Sequence, residues 1–326
     1  MSAITPRRHT CLLTGASGFV GANLARRLLA EGQELHCIVR PAHAQWRVQE
    51  LIGKAFFHDV NLSDHTRVAA LVHELTPDWV FNCAAYGAYP DQTDFDIALA
   101  VNVVDTLNLV RTCVTAGATV IVHAGSSSEY GVLDHAPTED EPLRPNSAYA
   151  ATKAAATLML NYLSDFAQAP VTVLRLYSVY GPWEAPTRLI PTLLTSAARG
   201  EWPPMASTST ARDFVFVDDA VDAILAVARH GWSTHSPHVF NVGTGRQTSL
   251  LELVNTVREL FGLDGEPQWG GFAPRAWDCA VWVANPTCIA NNIGWQAGTG
   301  LRSGLSRTYS WMMACAEAKT VYGLGR

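Results

Sequence analysis

Between Thr10 and Leu176, short apolar runs alternate with helical patterns, and nothing else in the 326 residues limits the fold as tightly. Strands are expected at Thr10–Thr14, Glu34–Val39, Ala55–His58, Trp79–Cys83, Thr119–His123 and Val171–Leu176. Helices are expected at Phe19–Glu31, Ser63–Leu75 with Ser63 as N-cap, Ile97–Ala116 ended by Gly117, and Ala148–Ala167. The strand runs are continuously apolar, as strands covered on both faces require. This β-α-β-α order specifies an α/β fold, a parallel sheet with helices on both faces.

After Tyr180-Gly-Pro182 the regular alternation fades, and Pro, Trp, Gly and Ser become common. Glu201–Thr210 reads as an exposed loop. One strand and helix return at Val215–Val217 and Asp218–Arg229, then a strand at His238–Val242 and a helix at Ser249–Phe261. An amphipathic stretch over Gly300–Lys319 is expected to cap the fold. The organisation expected is a cofactor domain over residues 1–180, to which 211–245 returns, and a smaller, discontinuous substrate domain over most of 181–326.

The net charge of −6 and the lack of a long basic run argue against nucleic acid as the main partner. The seven cysteines include no Cys-x-x-Cys and several lie in strand-like runs, so reduced, buried thiols and a cytoplasmic location are expected. No apolar signal core precedes the first strand, and no stretch reaches about 18 continuous apolar residues, so no membrane span is expected. The eleven histidines form no zinc-type cluster, and no metal is expected. His123, at a strand end beside a serine run, is the one to watch.

Thr14-Gly-Ala-Ser-Gly-Phe-Val-Gly21 joins the first strand to the first helix. Glycines at 15, 18 and 21 permit a tight turn, close backbone approach to a pyrophosphate, and close helix–strand packing. The helix N-terminus behind them offers N–H groups and a positive dipole end to an anion. The second strand ends at Arg40, with no acid at its tip. An acid there suits the ribose of NAD, and an arginine suits the 2′-phosphate of NADP, so NADP is favoured over NAD. Asp59 and Val60 are placed to meet the adenine edge.

Tyr149 and Lys153 lie four apart in a helical stretch and so share a face. An ammonium beside a phenol favours the phenolate and lowers its pKa, which makes the pair a proton relay for alcohol and carbonyl chemistry.

Other segments accompany these: Asn82-Cys-Ala-Ala85, Val101-Asn102 with Thr106-Leu-Asn108, Ser126-x-x-x-Tyr130-Gly131, and Arg212-Asp-x-x-x-Val-x-Asp219. Together they resemble the extended short-chain dehydrogenase/reductase family, in its nucleotide-sugar branch, over nearly the whole length. The resemblance implies a Rossmann-type doubly wound sheet and a catalytic triad of Ser126, Tyr149 and Lys153. In it, Lys153 also binds the nicotinamide ribose. It implies cofactor contacts from Gly15, Ser17, Gly18, Phe19, Val20, Gly21, Ala84, Ala85, Asn102 and Tyr177. Ser127 and Ser128 would face the substrate, Ser178 stands at a position that meets a substrate phosphate, and Arg212 and Arg275 would meet the diphosphate; Tyr86, after the fourth strand and without a family match, is expected to face the sugar. It also implies a homodimer built on the helices at 97–116 and 148–167.

The departures bear on the reaction. Dehydratases of this branch carry Asp-Glu where Ser127 and Ser128 stand, so ordinary 4,6-dehydration is not expected; a rearranged turn would be needed to recruit Glu129. Ser178 replaces a common Asn, and Asp105 a common Gly. The expected reaction is NADPH reduction of a 4-keto-6-deoxyhexose nucleotide. The alternatives are a sugar-nucleotide 4-epimerase with retained NAD and a non-catalytic dinucleotide-binding protein.

Overall fold

The computed structural model describes residues 8–41, 45–89, 91–271 and 280–324. Its main sheet has seven strands: β1 (Thr10–Thr14), β2 (Glu34–Val39), β3 (Phe56–Asp59), β4 (Trp79–Asn82), β5 (Val120–Ser126), β6 (Val171–Leu176) and β10 (Val239–Val242). Their order is β10-β6-β5-β4-β1-β2-β3. β1 pairs in parallel with β2 on one side and β4 on the other, and β2–β3 and β4–β5 are parallel as well. The strand order therefore reverses between β1 and β4. In a doubly wound sheet, ligands bind beyond the carboxyl ends of the strands at such a reversal. Leu12, Leu13, Val80, Phe81 and Ile121 are fully buried, which explains the continuous apolar runs.

The helices of the first half are α1 (Phe19–Ala30), α2 (His65–Leu75), α3 (Phe95–Leu99), α4 (Thr106–Thr115) and α5 (Ala148–Ala167). α2 starts two residues later than expected: Asp64, not Ser63, is the N-cap and accepts from Arg67 N. α3 and α4 form one helical run, Phe95–Thr115, joined by a π-helical segment at Ala100–Asp105. By length and composition alone that run meets the measure of a membrane span, a test that the core helix of a globular fold also passes. Its few charges do not break it, and 44% of its most apolar window is buried in the fold. It follows β4 and leads into β5, and α4 packs on α2.

The second half adds β7 (Ser178–Tyr180), α6 (Leu189–Ala197), β8 (Ala211–Arg212), β9 (Phe214–Phe216), α7 (Val217–His230), β11 (Thr248–Ser249) and α8 (Leu250–Phe261). It ends with α9 (Thr287–Ile293), α10 (Leu301–Ala314) and α11 (Ala316–Tyr322). The amphipathic stretch at the end is thus two helices, broken at Cys315, whose backbone is extended. The segment 201–210 is not uniformly exposed: Met205 and Thr210 are buried, and Met205 bridges to Trp269.

The chain forms two compact units. One comprises Met1–Ala124, Ala155–Val173 and Ile224–His238; the other comprises Gly125–Ala154, Leu174–Ala223 and Val239–Arg326.

Candidate active site

In the first unit, β1 delivers its last residue, Thr14, to the strand reversal. Gly15 follows at φ +74°, in the left-handed region. A Cβ on it would lie 2.6 Å from the Cys83 carbonyl, at the end of β4. Gly18 N donates to Gly15 O at 2.9 Å, closing the turn, and a Cβ on Gly21 would lie 2.2 Å from that same oxygen. Gly15 makes room for the backbone at the end of β4, and Gly21 makes room for the Gly15 carbonyl. Gly18 is the N-cap of α1, with no side-chain cap and no acid in the first turn. No side chain therefore caps the first amides of α1, and such an uncapped helix start can accept an anion. Ser17, Phe19 and Val20 line the start of this helix half-buried. Arg40 and Asp59, at the ends of β2 and β3, are exposed, and Val60 is buried.

A buried polar network holds the end of β4. Thr14 Oγ1 donates to Asn82 Oδ1 at 2.6 Å and accepts from Ala84 N at 3.3 Å. Asn82 Nδ2 reaches Thr106 Oγ1 and His123 Nδ1. His123 is thus a fully buried member of this network. Ala85 is exposed at the start of the next loop. Asn102, in the π-helical segment, accepts from Tyr86 N and donates to Tyr86 O, both at 2.8 Å, and so pins that loop. Such π segments recur at functional sites. Asp105 is buried and meets His65 Nε2 at 2.8 Å.

In the second unit, β5 runs into one 3₁₀ turn, Ser127–Tyr130. Ser126 caps it: its Oγ accepts from Ser128 N at 3.2 Å and meets Ser128 Oγ at 2.7 Å. Glu129 Oε1 accepts from Ser126 N at 2.8 Å, completing a capping box. Its other oxygen accepts from Arg175 Nε at 2.9 Å, with both side chains buried. Arg175 also donates to Tyr130 Oη and Glu139 O, and Tyr130 donates to Asn241. Burial pushes the Tyr130 phenol up to about 12. Glu129 is fully committed to this network, so a rearranged turn would have to break a buried ion pair to recruit it.

Tyr149 and Lys153 sit in the first turns of α5, with Ser147 Oγ accepting from Ala150 N. Tyr149 is half-buried and Lys153 almost wholly buried. The Tyr149 phenol lies above its ordinary pKa, because burial disfavours the anion. A hydrogen bond from Ser126 pulls it down, the Glu129 carboxylate pushes it up, and Arg188 pulls it down. The net direction is opposite to the lowering expected from the Tyr-x-x-x-Lys spacing. Desolvation outweighs the polar groups around the hydroxyl.

Ser127 is buried, and its Oγ accepts from Trp282 Nε1 at 3.1 Å; Ser128 is half-buried. Ser178 opens β7 with its N–H on Asp213 O, and Tyr177 is buried with its phenol well above its ordinary pKa. Arg212 is half-buried, with its guanidinium 5.4 Å from the centre of the Trp282 ring. Arg275 lies outside the described residues.

The sequence profile of the NAD dependent epimerase/dehydratase family matches residues 11–243. A UDP-glucose 4-epimerase of Mycolicibacterium smegmatis is 31% identical over 309 residues, covering 91% of this chain and 96% of its own. A dTDP-glucose 4,6-dehydratase of Streptomyces griseus is 30% identical over 317 residues, covering 92% and 93%. The solved structure of MoeE5 in complex with UDP-glucose and NAD superposes with a TM-score of 0.78 at 31% identity, over 93% of this chain and 98% of that one.

The chain belongs to the NAD dependent epimerase/dehydratase family.

As a member of that family it is an enzyme of the short-chain dehydrogenase/reductase type. Three of the residues that organise this member's site were not found from its sequence. Arg175 lies next to the end of β6, a largely apolar buried strand, and a buried cation in such a run is itself a signal of a buried partner. Asp213 accepts from Thr244 N, Thr244 Oγ1, Gly245 N and Ala284 N, drawing three backbone segments together. Trp282 lies four residues beyond the Pro274–Asp278 segment that suggested Arg275, and no local pattern marks it.

Proposed function

We propose that this enzyme interconverts the C4 epimers of a nucleoside-diphosphate hexose. The observation that carries this is Ser126, fixed by a capping box and lowering the pKa of the Tyr149 phenol, in a turn whose one carboxylate, Glu129, is locked to Arg175. Alcohol oxidation and carbonyl reduction at one carbon need a hydroxyl that takes and returns a proton. Expulsion of water from the neighbouring carbon needs a further acid and base, which Ser127 and Ser128 do not supply. When bound, a nicotinamide dinucleotide supplies the hydride acceptor and donor. Tyr149 takes the C4 hydroxyl proton and later returns it, and Ser126 holds the same oxygen. The Ser126 hydrogen bond and the charge of Arg188 work against burial to bring the phenol toward its ionised form.

By position, Lys153 holds the nicotinamide ribose. The turn of Gly15, Ser17, Gly18, Phe19, Val20 and Gly21 holds the pyrophosphate, and Asp59 and Val60 the adenine. Ala84, Ala85, Asn102 and Tyr177 serve the nicotinamide end. Tyr86, Ser127 and Ser128 receive the sugar, and Ser178, Arg212 and Arg275 its diphosphate. The names of the similar proteins support a UDP- or dTDP-linked hexose and NAD. Unpaired thiols at Cys11, Cys37 and Cys113, pushed up to about 12 by burial, support a reducing compartment such as the cytosol. Exposed Phe95, Ile97, Leu158, Tyr162 and Phe166, on the helices named for the dimer, support a homodimer.

One observation favours a second function, NADPH reduction of a 4-keto-6-deoxyhexose nucleotide: Arg40 is exposed at the tip of β2. Incubation of the purified enzyme with single nucleotide sugars, followed by proton NMR, separates the two. Conversion of one hexose nucleotide into its C4 epimer with no added cofactor is the expected result. Turnover only with a keto-sugar nucleotide and stoichiometric loss of NADPH absorbance would establish the second instead.

A further inference from the structure

Trp282 ties together two groups that the proposed function assigns to opposite ends of the substrate. Its indole Nε1 donates to Ser127 Oγ at 3.1 Å. The guanidinium of Arg212 lies over its ring, 5.4 Å from the centroid. The ring does not float. Its backbone N–H donates to Gln247 Oε1 at 3.2 Å, Gln247 Nε2 donates to Ala280 O at 2.7 Å, and the ring packs against a buried cluster that includes Tyr177.

The direction of the first bond matters. An indole N–H can only donate, so Ser127 Oγ must accept it and keeps its own hydrogen for another acceptor. Ser127 is buried and directly follows Ser126, the serine that lowers the pKa of the Tyr149 phenol. Trp282 therefore presets Ser127 as a hydrogen-bond donor next to the reacting oxygen. At its face, the ring holds the Arg212 guanidinium by cation–π attraction, while Arg212 Nη1 donates to Ala211 O at 2.7 Å, so the cation is held in place for phosphate oxygens.

We infer that Trp282 is a positioning residue that sets substrate specificity. Through its N–H it orients Ser127 to donate to an acceptor oxygen on the sugar, and through its ring it orients Arg212 toward the diphosphate. The inference rests on the sugar-nucleotide function proposed above.

The two arms separate by substitution. Trp282→Phe keeps a flat ring under Arg212 but removes the N–H, and Ser127→Ala removes the other end of the same bond. Each is expected to lower kcat/KM for the sugar nucleotide turned over by the wild type roughly tenfold, the size of one lost buried hydrogen bond. The double variant is expected to lose no more than either single one, because both break one interaction. Affinity for UDP, titrated by calorimetry, stays at the wild-type value in Trp282→Phe and falls about threefold in Trp282→Leu, which removes the stacking face. Circular dichroism and thermal midpoints establish that each variant is folded. Additive losses, an unchanged kcat/KM in Trp282→Phe, or a parallel loss of UDP affinity in that variant would overturn the inference. A wild type that turns over no sugar nucleotide sinks the proposed function instead. The UDP titrations then decide alone, and equal affinity in the wild type and Trp282→Leu overturns the inference.

Discussion

The start of α1 and the turn at Ser127–Tyr130 meet the same problem, backbone N–H groups without helical partners, and solve it in opposite ways. At α1 the N-cap is Gly18, no side chain caps the helix, and its first turn carries no acid. At the serine turn, Ser126 and Glu129 form a complete capping box, and a buried arginine holds the glutamate from behind. The open helix start leaves its amides to outside partners, an anion in the function proposed here, while the closed turn keeps a hydroxyl still. A residue that cannot move can present Ser126 to a phenol in one geometry, and uncapped amides can be satisfied by a phosphate.

Four substitutions break or sharpen that contrast. The largest effect belongs to Tyr149→Phe, which leaves the capped turn in place but removes the proton carrier; activity is expected to fall by about a thousandfold or more with folding retained. Full activity in that variant, measured as product formed per enzyme, would remove the phenol from the chemistry. Next comes Glu129→Gln, which leaves the buried Arg175 charge without its partner and is expected to cost about 3–5 kcal/mol of stability in urea unfolding. A midpoint unchanged from wild type would mean that the network does not hold the turn.

Gly18→Asp would convert the open helix start into a capped one. The carboxylate would occupy the amides and repel the pyrophosphate, so dinucleotide affinity is expected to fall about tenfold or more. A Cβ there lies 3.1 Å from Gly15 O, a crowding that offsets the gain from the new cap, so the thermal midpoint should move little. Unchanged dinucleotide affinity would show that the anion goes elsewhere. The smallest effect is a shift on the pH axis. The Ser126 hydrogen bond pulls the Tyr149 pKa down. Without it the phenol ionises at higher pH, so in Ser126→Ala the rise of kcat/KM with pH should move upward. A profile that stays in place, or moves down, would contradict the assignment of that bond.

Much of the first half was legible from the sequence because its elements are set locally. α5 and β6 begin and end at the residues the apolar pattern marks, Ala148–Ala167 and Val171–Leu176. The glycine spacing at 15, 18 and 21 announces a turn, and the Cβ distances explain why positions 15 and 21 admit only glycine. The misses have a common cause. α6 and α9 are nine and seven residues long, too short for a clear 3.6-residue pattern. The π-helical segment at Ala100–Asp105 keeps a helical composition and so leaves no trace in the pattern. The direction of the Tyr149 shift depends on burial, and the roles of Arg175, Asp213 and Trp282 depend on partners 31 to 155 positions away, which periodicity does not encode.

All of this presupposes that the uncapped start of α1 takes a dinucleotide. Calorimetric titration of the purified enzyme, stripped of any bound nucleotide, with NAD and NADP in parallel tests that most directly. Saturable binding of NAD at one site per chain is the result expected; the absence of measurable binding of either dinucleotide would contradict the account at its base.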